Sequence, residues 1–485
     1  MIPDLVSLRE MSFFQLPSKS PTSYRLINLL LISSCLCIIY LFVSISLVRP
    51  STLSHVWVPS LYVSPPTTLD HLVFGIASTA QSWPNRKEYV RLWWKPQSMR
   101  GCVFVDSMPP TTVDKHNDSS TLPPICISED TSHFRYTYRG GLRSAIRVAR
   151  AVSETVSLNH TGVRWFVFGD DDTVFFPENL VKTLSKYDHN LWYYIGTNSE
   201  SSKQNSLFSF EMAFGGGGFA ISYPLARVLA KVFDSCLVRY PHLYGSDARI
   251  FSCLAELGVG LTHEPGFHQV DFRGDAFGLL AAHPLRPLVS LHHLNYIDPI
   301  FPNMNSKQAL EHLLEAVKFD PARILQQTVC YDRWFSWTIS VSWGYAVQLF
   351  ERDILLPDVL PVQHTFTVWN KRETITPSPY MFDTRELPED PCRRPTLFFL
   401  ESLSSNGQVI RSNYRRSISD KCLESKGASK KLEKIRVFSK KLKLDIRQLQ
   451  APRRHCCDIL PSSVGEVLEI GIRECGEEEM IFMHA

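Results

Sequence analysis

The chain lacks an excess of charge of either sign. Its 51 Lys and Arg residues are nearly matched by 48 Asp and Glu, leaving a formal net charge of +3, too small to mark the whole protein as a nucleic-acid binder. It also lacks an internal repeat, which sets solenoids and propellers aside. Zinc-ligand spacing is missing too, since Cys456-Cys457 has no suitably spaced partner pair. Long uncharged apolar runs are absent except in one place. What remains is 485 residues, enough for one large domain with an extension or for two domains, either with a substantial core.

The one long apolar run is Ile27 to Val48, about the length that spans a bilayer as a helix. A cleavable signal has a shorter apolar region and a small-residue cleavage site, whereas this run is followed by Arg49-Pro50, so it reads as a membrane anchor. Residues 1–26 are then a cytoplasmic tail and 27–48 the transmembrane segment. A stem rich in Ser, Thr and Pro covers 49–70, a main domain 71–298 and a C-terminal extension 299–485. Lys19 and Arg25 against Arg49 orient the anchor weakly. The downstream chain favours a lumenal, type II arrangement: Asn117-Asp-Ser119 and Asn159-His-Thr161 are glycosylation acceptors, and ten of the 12 cysteines lie beyond the anchor. Cys236 and Cys253 flank the Asp247 loop and can pair or stay as buried thiols.

Strand-like runs at Leu72 to Ala77, Cys102 to Asp106 and Val163 to Phe168 alternate with helical patterns. The clearest pattern runs from Gly141 to Leu158, with Leu142, Ala145, Ile146, Ala149, Val152 and Val156 on one face. This alternation predicts an α/β fold around a largely parallel sheet. Asp170-Asp171-Asp172 follows the third strand by one glycine, at the carboxyl end where such sheets bind ligands. Three adjacent carboxylates repel one another and are best tolerated around a divalent cation. Hard oxygens suit Mg²⁺ or Mn²⁺, which commonly bridge to a diphosphate. Gly215 to Gly218 forgo side chains where backbone must approach something closely, and Pro224 opens a helix whose apolar face includes Leu225, Val228, Leu229 and Val232.

Read in order, Leu72-Val-Phe-Gly-Ile-Ala77, Trp83-Pro-Asn-Arg-Lys87, Trp93-Trp94, Cys102-Val-Phe-Val-Asp106, the acidic triplet, Phe214-Gly-Gly-Gly-Gly-Phe219, Tyr244-Gly-Ser-Asp247 and Glu264-Pro-Gly-Phe-His268 resemble the fringe-like β1,3-glycosyltransferases, most closely their plant fringe-related branch. The match runs from about Leu72 to His293, with weaker echoes to Cys457. The resemblance implies a glycosyltransferase-A-like nucleotide-sugar fold in 71–298, followed by a mixed, β-rich extension. It implies Asp172 and His268 on the metal, Mn²⁺ or Mg²⁺, with Asp170 toward the nucleotide ribose and Asp171 assisting. Asp106 touches the nucleotide, and Gly216 and Gly217 lie along the floor of the donor and acceptor cleft.

Inverting transfer needs a general base for the acceptor hydroxyl, and Asp247 occupies the family's position for it. The family often has a second Asp there; this chain has Ala248. Asp247 can instead cap the following helix, with Ser246 as competitor, and Asp271 and Asp275 are the next candidate bases. His263, His292 and His293 rival His268, and the His292-His293 pair can line the acceptor cleft.

The function the resemblance implies is a Golgi-membrane, metal-dependent inverting glycosyltransferase. It moves a hexosyl or N-acetylhexosaminyl group from a UDP-sugar to a glycan or glycoprotein hydroxyl, forming a β1,3 linkage. The alternatives are a catalytically silent lumenal carbohydrate-binding or scaffold protein and a metal-dependent phosphohydrolase. Beyond Asp298, Trp334, Trp337 and Trp343 lie in a period-2 pattern consistent with strands, where core or interface packing competes with sugar stacking. Lys430 to Lys443 reads as a solvated basic face, with an acidic polysaccharide as the weaker alternative.

Overall fold

The computed structural model describes residues 21–47, 66–110, 120–370, 379–417, 428–462 and 465–481. The first 20 residues of the tail, most of the stem and the Asn117 acceptor site lie outside the described residues. The chain forms two compact units, Met1–Pro65 and Pro66–Ala485. In the first, α1 (Pro21–Leu47) is a 27-residue helix whose large apolar side chains from Leu29 to Val43 are all exposed. Among the described residues no helix is long and apolar enough to cross a membrane; within α1 the uninterrupted run with described side chains is 28–44.

The second unit opens with β1 (Leu72–Ala77), α2 (Trp83–Trp93), β2 (Arg100–Val105), β3 (Ile125–Ile127), α3 (Ser144–Ser157), β4 (Trp165–Asp170) and β5 (Val174–Phe175). It continues with β6 (Tyr194–Gly196), β7 (Phe219–Ser222), α4 (Tyr223–Leu237), α5 (Ser246–Glu256), β8 (Leu261–His263), β9 (Phe272–Gly274) and β10 (Ser290–Leu291). Seven strands form a sheet in the order β3-β2-β1-β4-β7-β6-β8. β1 pairs in parallel with β2 and β4, and β7 runs antiparallel to β4 and β6. Every residue of β1 is buried, as expected of a strand covered on both faces. One face packs against α3, α4 and α5 through Ile146, Phe166, Leu229 and Leu254; the other packs Phe74, Val167 and Phe175 against Trp93 of α2. The register sets Ala77 opposite Asp170, so the loops after β1 and β4 emerge side by side.

Two helices differ from their expected faces. α3 begins at Ser144, so Leu142 precedes it and is 73 % exposed, while Arg147 and Arg150 are buried in its place. Arg147 donates to the carbonyls of Ser78 and Phe104, and Arg150 pairs with Asp234 and Glu129, so two cations replace part of the apolar stripe. α4 buries Leu225, Ala226, Leu229 and Phe233 and leaves Val232 exposed. Its face is thus rotated toward Phe233.

The extension adds β11 (Gln327–Asp332), β12 (Trp337–Ser342), β13 (Ala346–Phe350), β14 (Val362–Gln363), β15 (Phe366–Val368) and β16 (Thr384–Arg385). It ends with β17 (Thr396–Ser405), β18 (Val409–Arg416), β19 (Lys434–Lys440), β20 (Cys456–Leu460) and β21 (Val467–Arg473). Eight of these strands form a second sheet in the order β11-β12-β13-β17-β18-β19-β21-β20, antiparallel except between β19 and β21. The Cys330–Cys457 disulfide ties β11 to β20, so the sheet curls until its two edges meet. Trp337 and Trp343 are buried and Trp334 is 91 % exposed. In β19, Ile435 and Val437 point inward between the solvent-facing Lys434, Arg436 and Lys440. Ile339, Val347 and Tyr414 share one continuous core with Trp165 of the first sheet, Phe175 of β5 and Leu288, and β15 pairs with β9 beside the candidate site. The other disulfides between described residues are Cys102–Cys126, Cys236–Cys253 and Cys456–Cys475. The two open readings of Cys236 and Cys253 thereby resolve to a pair, and the adjacent Cys456 and Cys457 are consumed in two bridges.

Candidate metal and donor site

β4 delivers the acidic triplet into a tight turn. The Asp170 amide donates to Thr173 Oγ1 at 2.8 Å, and the Thr173 hydroxyl donates to the Gly216 carbonyl at 2.8 Å. Trp93 Nε1 holds the Thr173 carbonyl from below at 2.9 Å. The three carboxylates then diverge. Asp171 turns into the protein, is 2 % exposed, and accepts from Ser78 Oγ and Ser82 Oγ at 2.7 Å each and from Arg86 Nη1 at 3.0 Å. Its place is that of a brace for the loop after β1, with its oxygens already occupied, rather than that of a nucleotide contact. Asp106 braces the same loop, accepting from the Ala80 amide at 2.8 Å.

Asp170 and Asp172 instead face a histidine, and that histidine is His292. Its Nε2 lies 3.1 Å from Asp172 Oδ1 and 3.9 Å from Asp170 Oδ2. One ligand atom from each of the three residues lies within 4.8 Å of the others. His292 Nδ1 sits 3.3 Å from the Gln269 carbonyl, an orientation that leaves Nε2 toward the carboxylates. Two oxygens and one imidazole nitrogen are a donor set that fits Mn²⁺.

His268, the expected ligand, does not join this cluster. It is buried, with Nδ1 3.2 Å from Glu200 Oε1 and Nε2 3.0 Å from His283 Nε2, so both ring nitrogens are already engaged. Glu200 also accepts from the Val270 amide at 2.8 Å. The pair therefore fixes the 268–271 segment, whose Gln269 orients His292 through its carbonyl and accepts from the Gly217 amide at 2.6 Å. Among the rivals, His263 is on β8 with Glu211 as its distant partner, and His293 contacts Asp271 at 3.2 Å. Val270 and His293 both adopt left-handed backbone, at φ 59° and 51°, a strain that clusters at functional sites.

The glycine run is required by its neighbours. A Cβ on Gly216 would lie 2.1 Å from the His292 ring, and one on Gly215 would lie 2.6 Å from Asp247 Oδ1. Either side chain would displace a candidate site residue. Asp247 sits in the first turn of α5, one residue after Ser246, and Gly245 holds the N-cap position. It is therefore not the cap. Its carboxylate accepts from the Gly215 amide and from Ser246 Oγ, which brings Asp247, the glycine run and His292 into one wall. Asp271 is buried with Ser199 and His293 as partners, while Asp275 accepts from the Phe277 amide and lies by β15.

Electrostatics separate the carboxylates. Burial pushes Asp170 up to about 7, aided by the charges of Asp172, Asp247 and Asp171 against the pull of His292. Asp172 is buried as well, but the hydrogen bond and charge of His292, with Arg86 and His293 behind, hold it down at about 2. His292 is raised, its burial outweighed by Asp172, Asp170 and Asp271. Burial raises Asp247 against the opposing hydrogen bonds of Gly215 and Ser246. Arg86 completes the site, 3.0 Å from Asp171 and 3.2 Å from Asp172 and about one-third exposed. Arg86 lies inside Trp83-Pro-Asn-Arg-Lys87 but no local pattern marks its role, and no spacing singles out Glu200 or Gln269.

Residues 204–457 match the family described as "Protein of unknown function, DUF604". This span holds the glycine run, Asp247 and His292 but not the acidic triplet. A β1,3-glucosyltransferase of Mus musculus is 32% identical over 145 residues, 29% of this chain and 27% of that protein, so the chain spans about a quarter of the length of the curated relative it matches. Among solved structures, the galactosyltransferase LgtC with donor and acceptor sugar analogues overlaps at TM-score 0.32 and 13% identity, covering 50% of this chain and 94% of that one. The mannosyltransferase PcManGT from Pyrobaculum calidifontis, in complex with GDP-Man and Mn²⁺, overlaps at TM-score 0.23 and 13% identity, covering 46% and 66%. Overlaps this loose carry no argument about the chain. The family match extends over more than half of the 485 residues, and the chain belongs to this DUF604 family.

Proposed function

We propose that the protein is a metal-dependent inverting glycosyltransferase that uses a UDP-sugar. The observation that carries this reading is the Asp170, Asp172 and His292 cluster at the carboxyl end of β4, walled by a glycine run that also positions Asp247. Asp170, Asp172 and His292 would hold Mn²⁺, which on binding neutralises a diphosphate and assists its departure. Arg86 stands beside the same carboxylates and offers a guanidinium to phosphate oxygens. The side-chain-free backbone at Gly215 and Gly216 lets a sugar approach the wall closely. Asp247, raised by burial, accepts the proton of the acceptor hydroxyl as that oxygen attacks.

The named activity of the mouse relative supports a β1,3 linkage and puts UDP-glucose first among donors. The fringe-like resemblance of the motif order points the same way. The exposed Asn159 acceptor site and the disulfide-rich second unit support a lumenal catalytic region in the Golgi. The test is transfer from a panel of UDP-sugars, read first as hydrolysis. Mn²⁺-dependent release of UDP that Asp172→Asn reduces at least a hundredfold is the expected result. Release of inorganic phosphate without sugar transfer would establish a phosphohydrolase instead.

A further inference from the structure

The second sheet carries a cleft of about 980 Å³ along the seam where its two edges meet, far along the chain from the acidic triplet. Its floor is rigid. Cys330–Cys457 joins the two edge strands, and Cys456–Cys475 secures β20 from the other side. At its rim the β11–β12 hairpin presents aromatic rings: Trp334 is 91 % exposed and Phe335 57 % exposed, and Phe335 stacks on Trp337 with centroids 4.6 Å apart and planes at 20°. The turn is held in that shape by Asp332 Oδ1, which accepts from the Trp334 amide at 2.8 Å and the Phe335 amide at 3.3 Å.

Elsewhere in the lining, Arg473 donates to Asp458 at 2.7 and 2.9 Å and to Glu479 at 2.6 and 2.7 Å. With a further bond to the Glu474 carbonyl at 3.2 Å, these spend the five Arg473 N–H donors and hold the two carboxylates on the cleft wall, where their remaining lone pairs are the acceptors. A sugar hydroxyl, which donates a hydrogen bond, matches those carboxylates, while the apolar C–H face of a pyranose matches an exposed ring. The charged side chains of the lining balance, with Asp332, Asp458 and Glu479 against Arg333, Lys431 and Arg473, which selects a neutral ligand.

An extended peptide inserted between the edges is the competing occupant. A strand placed between β11 and β20 needs roughly 9.5 Å between them, two interstrand spacings, whereas the Cys330 and Cys457 Cα atoms are held 5.6 Å apart. We infer that this cleft is a binding site for a neutral oligosaccharide, with Trp334 as its stacking platform and the Arg473–Asp458–Glu479 group as its hydroxyl-reading wall. The inference stands apart from the catalytic reading, because binding is measured without transfer.

The experiment offers the full chain neutral hexasaccharides with β1,3-glucan, β1,4-glucan and β1,4-galactan backbones, a hexagalacturonate and an extended Thr/Val decapeptide. Binding is read by saturation-transfer NMR and calorimetry. At least one neutral hexasaccharide should bind saturably. Trp334→Ala, which removes a side chain outside the core, should weaken that binding tenfold or more with unchanged thermal unfolding and unchanged UDP affinity, and Arg473→Gln should weaken it as well. Absence of binding by every neutral hexasaccharide overturns the inference. So does binding indifferent to Trp334→Ala, or binding confined to the hexagalacturonate or the decapeptide.

Discussion

At the scale of single residues, the site turns on which histidine joins the carboxylates. The sequence favours His268 by its neighbours, and the fold favours His292 because a strand pairing, β10 with β5, brings residue 291 against residue 174 just past the triplet. No local pattern encodes that contact, since the two segments are over a hundred residues apart. Asp172 was legible because carboxylates following a buried strand must face something. Asp171 was not, because its partners Ser78 and Ser82 come from the loop after β1 and Arg86 from α2. A proton count gives one prediction. Asp170, at about 7, and the raised His292 must release protons to ligate a cation, so Mn²⁺ affinity should climb as pH rises from 6 to 8, a trend calorimetry can read. A second concerns Asp247. If it takes the acceptor proton, Asp247→Asn should lower the turnover number at least a hundredfold and leave UDP and Mn²⁺ affinity within about threefold. Steady-state transfer compared with donor binding checks this, and near-normal turnover moves the base to Asp271.

At the scale of elements, the aim of Asp247 depends on α5, and α5 depends on its bridge to α4. The Cys236–Cys253 disulfide closes a separation of 17 residues between these helices, a loop whose cross-link contributes about 3 kcal/mol in the chain-entropy account. A Cys236→Ala/Cys253→Ala variant should lower the unfolding temperature and reduce turnover more than donor affinity, because the base moves while the β4 site stays braced by Asp171. Thermal unfolding and kinetics on the same preparation test it. The parallel strands were readable as buried apolar runs, and the start of α4 was readable from Pro224. The face of α3 was misread at Leu142, since a helix that buries arginines against backbone carbonyls breaks the apolar stripe on which periodicity relies.

At the scale of the whole molecule, the β-rich extension completes the core and lends β15 to the site's edge, which accounts for its presence better than any motif within it. That role was invisible in the sequence, where long-range pairing leaves no spacing to detect. One buried and one half-buried imidazole weigh against this unit in acid: burial holds His283 down at about 3 and His455 at about 4. Both lie below the unfolded value of about 6.5, so the unfolded chain takes up protons first as pH falls. Their contribution is complete above pH 6.5 and is lost progressively toward pH 4, against the opposite effects of Asp170 and His292, whose folded values are raised. Asp170→Asn, which removes the opposing carboxyl, should therefore steepen the fall of the unfolding temperature from pH 7.5 to 5 relative to the unchanged chain, as calorimetric scans can establish. The central claim, that Asp170, Asp172 and His292 form the metal site, is tested most directly by electron spin-echo spectroscopy of the chain loaded with Mn²⁺ and UDP. The account predicts a ¹⁴N coupling from one imidazole that disappears in His292→Ala and persists in His268→Ala. A coupling lost in His268→Ala and retained in His292→Ala would contradict it.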